Sequence, residues 1–88
     1  MDPTRITRSG VTFTRYDDAT AHVHAGRVVI GSVTDLGGPW VAWNRYGTRL
    51  GLHPTRTAAV DAVIRDENAA HAWFARQTSP SNELANRL

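Results

Sequence analysis

Two spacings of hydrophobic residues divide the chain. Val11-Thr12-Phe13-Thr14-Arg15 alternates apolar and polar positions with a period of two, the pattern of a strand buried on one side. Tyr16-Asp17-Asp18 is turn chemistry. Thr20-Ala21-His22-Val23-His24 and Arg27-Val28-Val29-Ile30-Gly31-Ser32-Val33 then read as two more strands. A two-residue turn at Ala25-Gly26 sets Val23 opposite Val28 and Ala21 opposite Ile30, which makes one apolar face. His24 then faces Arg27, and His22 faces Val29, on the other side. Val33 is out of phase with Val28 and Ile30, so a bulge is expected at Gly31.

Asp35-Leu36-Gly37-Gly38-Pro39 is a loop by composition, and a second hairpin follows it. Its strands are Trp40-Val41-Ala42-Trp43-Asn44 and Arg49-Leu50-Gly51-Leu52-His53, turning near Tyr46-Gly47. With that turn Trp43 faces Leu50 and Val41 faces Leu52, an apolar inner face. Trp40, Ala42, Asn44, Arg49, Gly51 and His53 are left on the outside. After Pro54 the period changes. Thr55 or Thr57 can cap a helix, and Val60, Val63, Ile64, Glu67, His71 and Phe74 recur at spacings of three and four. Ser79-Pro80 stops it.

The expected fold is α+β: an antiparallel sheet of three to five strands, built from two hairpins, with one long amphipathic C-terminal helix on one face. Residues 1–10 are expected to be a flexible arm, 11–77 the single domain and 78–88 a polar tail. A helix of roughly 20 residues is about 30 Å long, whereas such strands span about 17–20 Å. The helix should therefore overhang the sheet, carrying Trp73 and Phe74 beyond it.

At 88 residues there is room for one core, with a thin margin of stability. Cysteine is absent, which removes disulfides, thiolate metal sites and cysteine nucleophiles, and fits a cytoplasmic setting. Met1-Asp2-Pro3-Thr4-Arg5 has no apolar stretch of the signal-peptide kind, and no apolar run is long enough to cross a bilayer. All ten basic residues are arginine, as codon bias in a GC-rich genome would also give. Their distribution is more telling than the net +2. Residues 5–56 hold seven arginines against three acids, whereas residues 57–88 are slightly acidic. The sheet half is the basic half.

Few residues suggest chemistry. His22 and His24 share a strand face, and His53 could join them to hold zinc or copper. No carboxylate is placed beside them, however, and Arg27 opposite His24 would repel a cation, so surface histidines are the expectation. No nucleophilic triad, phosphate-cradling loop or cofactor motif can be assembled, so neither enzyme activity nor a cofactor is expected. A basic outer sheet face with planar, hydrogen-bonding and small residues suits nucleic acid. Arg27, Arg45, Arg49, Trp40, Asn44, Ala42 and Gly51 meet that description.

The segment from Gly38-Pro39-Trp40-Val41-Ala42 through Leu50-Gly51-Leu52-His53-Pro54-Thr55 to Ala59-Val60-Asp61-Ala62 resembles the AP2-type DNA-binding domain. It is also similar to the N-terminal arm-binding domains of tyrosine recombinases. Trp40, Leu50, Gly51, Thr55, Ala59 and Ala62 carry the likeness, which covers residues 38–62. The first strand lacks that family's arginine pattern, His53 replaces an aromatic that packs between sheet and helix, and Arg49 stands where Trp is common. The resemblance implies major-groove contacts from Trp40 and Arg49, with Arg27 and Arg45 on phosphates.

Two functions are expected on this basis. One is a DNA-binding or DNA-associated protein of phage or mobile-element type, binding double-stranded DNA through Trp40, Arg49, Arg27, Arg45, Asn44 and Arg56. The alternative is a protein-interaction module, a homodimer or an adaptor or inhibitor of a host protein, anchored by Trp73 and Phe74.

Overall fold

The computed structural model describes residues 5–77, with side chains described for residues 5–70. Five strands, β1 (Val11–Arg15), β2 (Thr20–Ala25), β3 (Val28–Asp35), β4 (Trp40–Asn44) and β5 (Arg49–His53), precede one helix, α1 (Arg56–Gln77). The strands form a single antiparallel sheet in the order β1-β2-β3-β4-β5, so each strand pairs with its neighbour in sequence. The fold is α+β, with one sheet face covered by α1 and the other covered by none of the described residues.

The β2–β3 hairpin turns one residue later than expected. Ala25 pairs with Val28, and Gly26-Arg27 occupy the turn. Gly26 has φ +65°, a conformation that costs glycine nothing and suits the first central position of a hairpin turn. His24 accordingly faces Val29, not Arg27. A bulge beside Val23 and His24 then inserts Ile30 as an extra residue, after which Val23 faces Gly31 and Ala21 faces Val33. The bulge restores the phase of Val33 and keeps Val23, Ile30 and Val33 on the helix side, all three at 0–1 % exposure.

The second hairpin is inverted relative to the expectation. Val41 does face Leu52, but Trp43 pairs with Arg49, and a bulge intervenes on β5 where Gly51 has φ +92°. Pairing with β3 decides the faces: Val33 lies beside Ala42 and Asp35 beside Trp40. Trp40, Ala42 and Leu50 therefore meet the helix, whereas Val41, Trp43 and Leu52 lie on the uncovered face. The alternation in Trp40-Val41-Ala42-Trp43 is apolar on both sides, so hydrophobicity alone could not choose between them.

Small residues are what the helix needs there. A Cβ at Gly31 would lie 2.3 Å from the Trp43 carbonyl oxygen and 2.7 Å from Val63 Cγ1. α1 thus packs on β3, β4 and β5, so closely over β3 that only glycine fits at position 31, and Ala42 is fully buried in the same core. Its buried residues are Ala59, Val60, Ala62, Val63, Ile64 and Glu67. Thr55 is the N-cap, its hydroxyl accepting from the Ala58 amide at 3.1 Å.

Two residues of the expected N-terminal arm, Ile6 and Arg8, contact this helix. Asn68 donates to the Ile6 carbonyl (2.9 Å) and accepts from its amide (2.8 Å), while Arg8 donates twice to Asp61 (3.0 and 2.6 Å). The helix has 22 residues, about 33 Å. Ala69 and Ala70 are exposed, so it leaves the sheet near Asn68. Trp73 and Phe74 lie outside the residues whose side chains are described. No helix among the described residues is long and apolar enough to cross a membrane.

Candidate nucleic-acid interface on the uncovered sheet face

Strand pairing sorts the uncovered face into three rows running across the strands. One is Thr20, Thr34, Val41 and Leu52; a second is Thr14, His22, Ser32, Trp43 and Arg49; a third is Thr12, His24 and Val29. The middle row crosses all five strands. Its centre, Ser32 on β3, is the smallest side chain of the five and stands between an imidazole and an indole. Tyr16, at the end of β1, stacks on the His22 ring with centroids 5.0 Å apart and planes 12° apart. A shallow depression of about 470 Å³ opens here, lined by Tyr16, His22, Ser32, Thr34 and Trp43 among others.

The face is free of acids among the described residues. Asp17 and Asp18 lie in the β1–β2 turn, Asp35 pairs with Trp40 on the helix side, and Asp61, Asp66 and Glu67 belong to α1. The turn acid is occupied: the Asp17 carboxylate accepts from the Ala19 and Thr20 amides (2.9 and 2.7 Å), which hold its pKa below the ordinary carboxylate value. The hydrogen bonds from Arg8 do the same for Asp61. Arg49 stands exposed at one end of the middle row, and Arg27 is exposed in the hairpin turn beyond β2 and β3. Val29 and Leu52 are 39 % and 52 % exposed. The face is mixed, with hydroxyls, aromatic rings and a few cations.

Of the residues expected to bind nucleic acid, Asn44 and Arg45 line the depression, but the set does not form one patch. Arg49 is on the uncovered face. Trp40 is on the opposite side, half-buried against the core. The Arg45 guanidinium reaches across to α1 and forms a two-hydrogen-bond ion pair with Glu67, which is 4 % exposed. Asn44 spends its amide oxygen on the turn, accepting from the Tyr46 and Thr48 amides at 2.9 Å. Arg56 opens α1 and lies 4.4 Å over the Phe13 ring, again on the helix side. Trp43, His22 and Tyr16 were missed as site residues. The signal for Trp43 was the pairing of β4 with β3, which the hairpin pattern alone does not reveal.

The histidines divide as well. His22 and His24 are on the uncovered face, whereas His53, opposite Trp40, turns to the helix side with Nε2 3.0 Å from the Leu50 carbonyl oxygen. No group of three His, Asp or Glu side chains able to hold a metal ion occurs among the described residues. His24 Nε2 is shielded from solvent and has no hydrogen-bond partner among them. Compared with known proteins, the chain matches no family model, no curated protein and no solved structure.

Proposed function

We propose that the domain binds nucleic acid through the uncovered face of its sheet. The observation that carries this reading is the segregation of charge. Every acid of the described residues lies off that face, while Arg49, two imidazoles, an indole and a set of hydroxyls lie on it. A polyanion with planar bases is the partner such a surface complements, since cations meet phosphates and rings stack on bases. Trp43 takes the place that the sequence resemblance implied for Trp40, and Arg49 keeps its own.

The test is fluorescence anisotropy with labelled oligonucleotides, single-stranded and duplex, across a salt series. Binding is expected in the micromolar range at low salt and should weaken steeply as salt rises. Arg49→Ala should lower the slope of log K against log salt by about 1, and Trp43→Ala should weaken binding at every salt concentration. No binding to either form at about 100 μM protein, or binding indifferent to salt, sinks the proposal.

A second reading rests on the helix, whose final turns run past the sheet. That overhang would let Trp73 and Phe74 anchor a second copy of the chain or another protein. Light scattering tests it: a dimer that becomes monomeric in Trp73→Ala supports the helix-end interface, and a monomeric wild type removes the homodimer.

A further inference from the structure

The shape of the uncovered face bears on which nucleic acid it fits. Five strands about 4.8 Å apart give a face about 19 Å across. The major groove is about 12 Å wide and admits a helix or a two-stranded ribbon. The middle row is centred on β3, the central strand, and not on a hairpin tip. A duplex groove would have to swallow the whole sheet to reach it. A single strand lying across the sheet would not.

The strand registers leave a gap in the same row, which two side chains leaning inward could close on a base. His22 and Trp43 flank Ser32 on either side, two strand spacings or about 9.6 Å apart. Side chains stand roughly perpendicular to a sheet, so an imidazole and an indole rise over a floor no larger than a hydroxymethyl group. A base stacked on both faces needs about 7 Å between rings, twice the stacking distance of about 3.4 Å. Tyr16, entering from the β1 side, stacks on His22 and braces that wall. The Ser32 and Thr34 hydroxyls line the depression and can donate to or accept from a base edge. Arg49, next to Trp43 in the row, is placed for a phosphate.

Building on the nucleic-acid reading above, we propose that the ligand is a single strand, with one base held over Ser32 between His22 and Trp43. The slot reads the flat face common to all bases, so affinity should vary little with sequence. Neither the row nor the slot contains a feature selective for the sugar, so DNA and RNA strands are both ligands.

The experiment compares labelled oligo-dT and oligo-U strands with a duplex of the same length, using anisotropy and quenching of tryptophan fluorescence. The single strands should bind at least tenfold more tightly than the duplex and quench the emission that Trp43→Phe removes. Ser32→Leu fills the slot without changing charge, so it should erase the preference while leaving the salt slope unchanged. His22→Ala removes one wall and should weaken single-strand binding several-fold. Circular dichroism and a urea titration establish that each variant is folded, and His22→Ala stands in if Ser32→Leu is not. A duplex bound as tightly as the strands, or a preference untouched by the folded variants, overturns the single-strand inference and leaves nucleic-acid binding intact. If neither form binds, both proposals fall.

Discussion

The two faces of the sheet are made from the same strands and differ in what they were selected to meet. On the covered face, small residues let a helix approach: Gly31 admits Val63, and Ala42 lies beneath the helix with Val33. Two arginines on this side are paired with helix carboxylates, Arg45 with Glu67 and Arg8 with Asp61. The uncovered face has larger and more polar side chains, with rings, hydroxyls and an arginine, Arg49, that forms no ion pair among the described residues. Close packing explains the first set. It does not account for Val29 and Leu52 on the second, which are 39 % and 52 % exposed.

The contrast is sharpest on β3, where consecutive residues point to opposite faces. Gly31→Ala should cost the most of any change discussed here. The new methyl would meet a backbone oxygen of β4 as well as Val63, so relief requires a strand or the helix to move. We expect a loss of about 3 kcal/mol or more, enough to unfold much of the population in a domain this small. Urea denaturation by circular dichroism measures it. A loss below about 1 kcal/mol would mean that helix and sheet are not in the close contact described.

Val63→Ala is next, at about 2 kcal/mol, because the removed methyls leave space under the helix that Gly31 cannot fill. If the sheet collapses onto the alanine, the cost will be smaller, and the same urea titration reports which occurs. Arg45→Met follows at about 1–2 kcal/mol. It strips one partner from a carboxylate that is almost fully buried, though the arginine's own partial exposure tempers the effect. The double change Arg45→Met with Glu67→Leu completes a double-mutant cycle that measures the coupling of the pair apart from each residue's other contacts.

Much of this architecture was legible along the chain, and the illegible part had one cause. The period-two runs pointed to three to five strands, of which the sheet has five, and the period of three to four marked the helix stripe from Val60 to Glu67. Val33 slipping out of phase marked the bulge beside Gly31. The faces of the β4–β5 hairpin were not legible, because Trp40, Val41, Ala42 and Trp43 offer an apolar side in either direction. Two facts resolve the choice, and both are remote in sequence: β3 fixes the register of Ala42, and α1 buries that residue in the core. A hairpin considered without its neighbours carries neither fact. The site inherited the same error, so Trp40 was expected where Trp43 stands. Arg45 does line the depression, but the pairing of its guanidinium was not legible because its partner, Glu67, is 22 residues away.

Acid should loosen the edges of the covered face before its centre. Asp61 and Asp17 both have folded-state pKa values below those of the unfolded chain, one through Arg8 and the other through two backbone amides. A depressed carboxyl stabilises the fold fully above its unfolded value of about 4. That contribution disappears as pH falls through the lower folded value. Stability should therefore be flat with respect to these groups from neutrality to about pH 5 and decline below about pH 4. In Asp61→Asn the decline should be shallower, as measured by the urea midpoint across a pH series. An unchanged acid limb would mean that Arg8 does not hold Asp61 in solution.

Ser32→Ala should have the smallest effect on stability, and it is the direct counterpart of Gly31→Ala. The residue is adjacent in sequence, on the same central strand, and points to the face that no part of the described chain covers. Removing its hydroxyl leaves the floor of the depression equally small and takes away no hydrogen bond within the described residues. The urea midpoint should shift by no more than about 0.5 kcal/mol equivalent. The two alanine variants should thus differ by several-fold in their cost although they stand side by side. If Ser32→Ala proves as costly as Gly31→Ala, then Ser32 is built into the fold, and the freedom of the uncovered face to meet a ligand is lost with it.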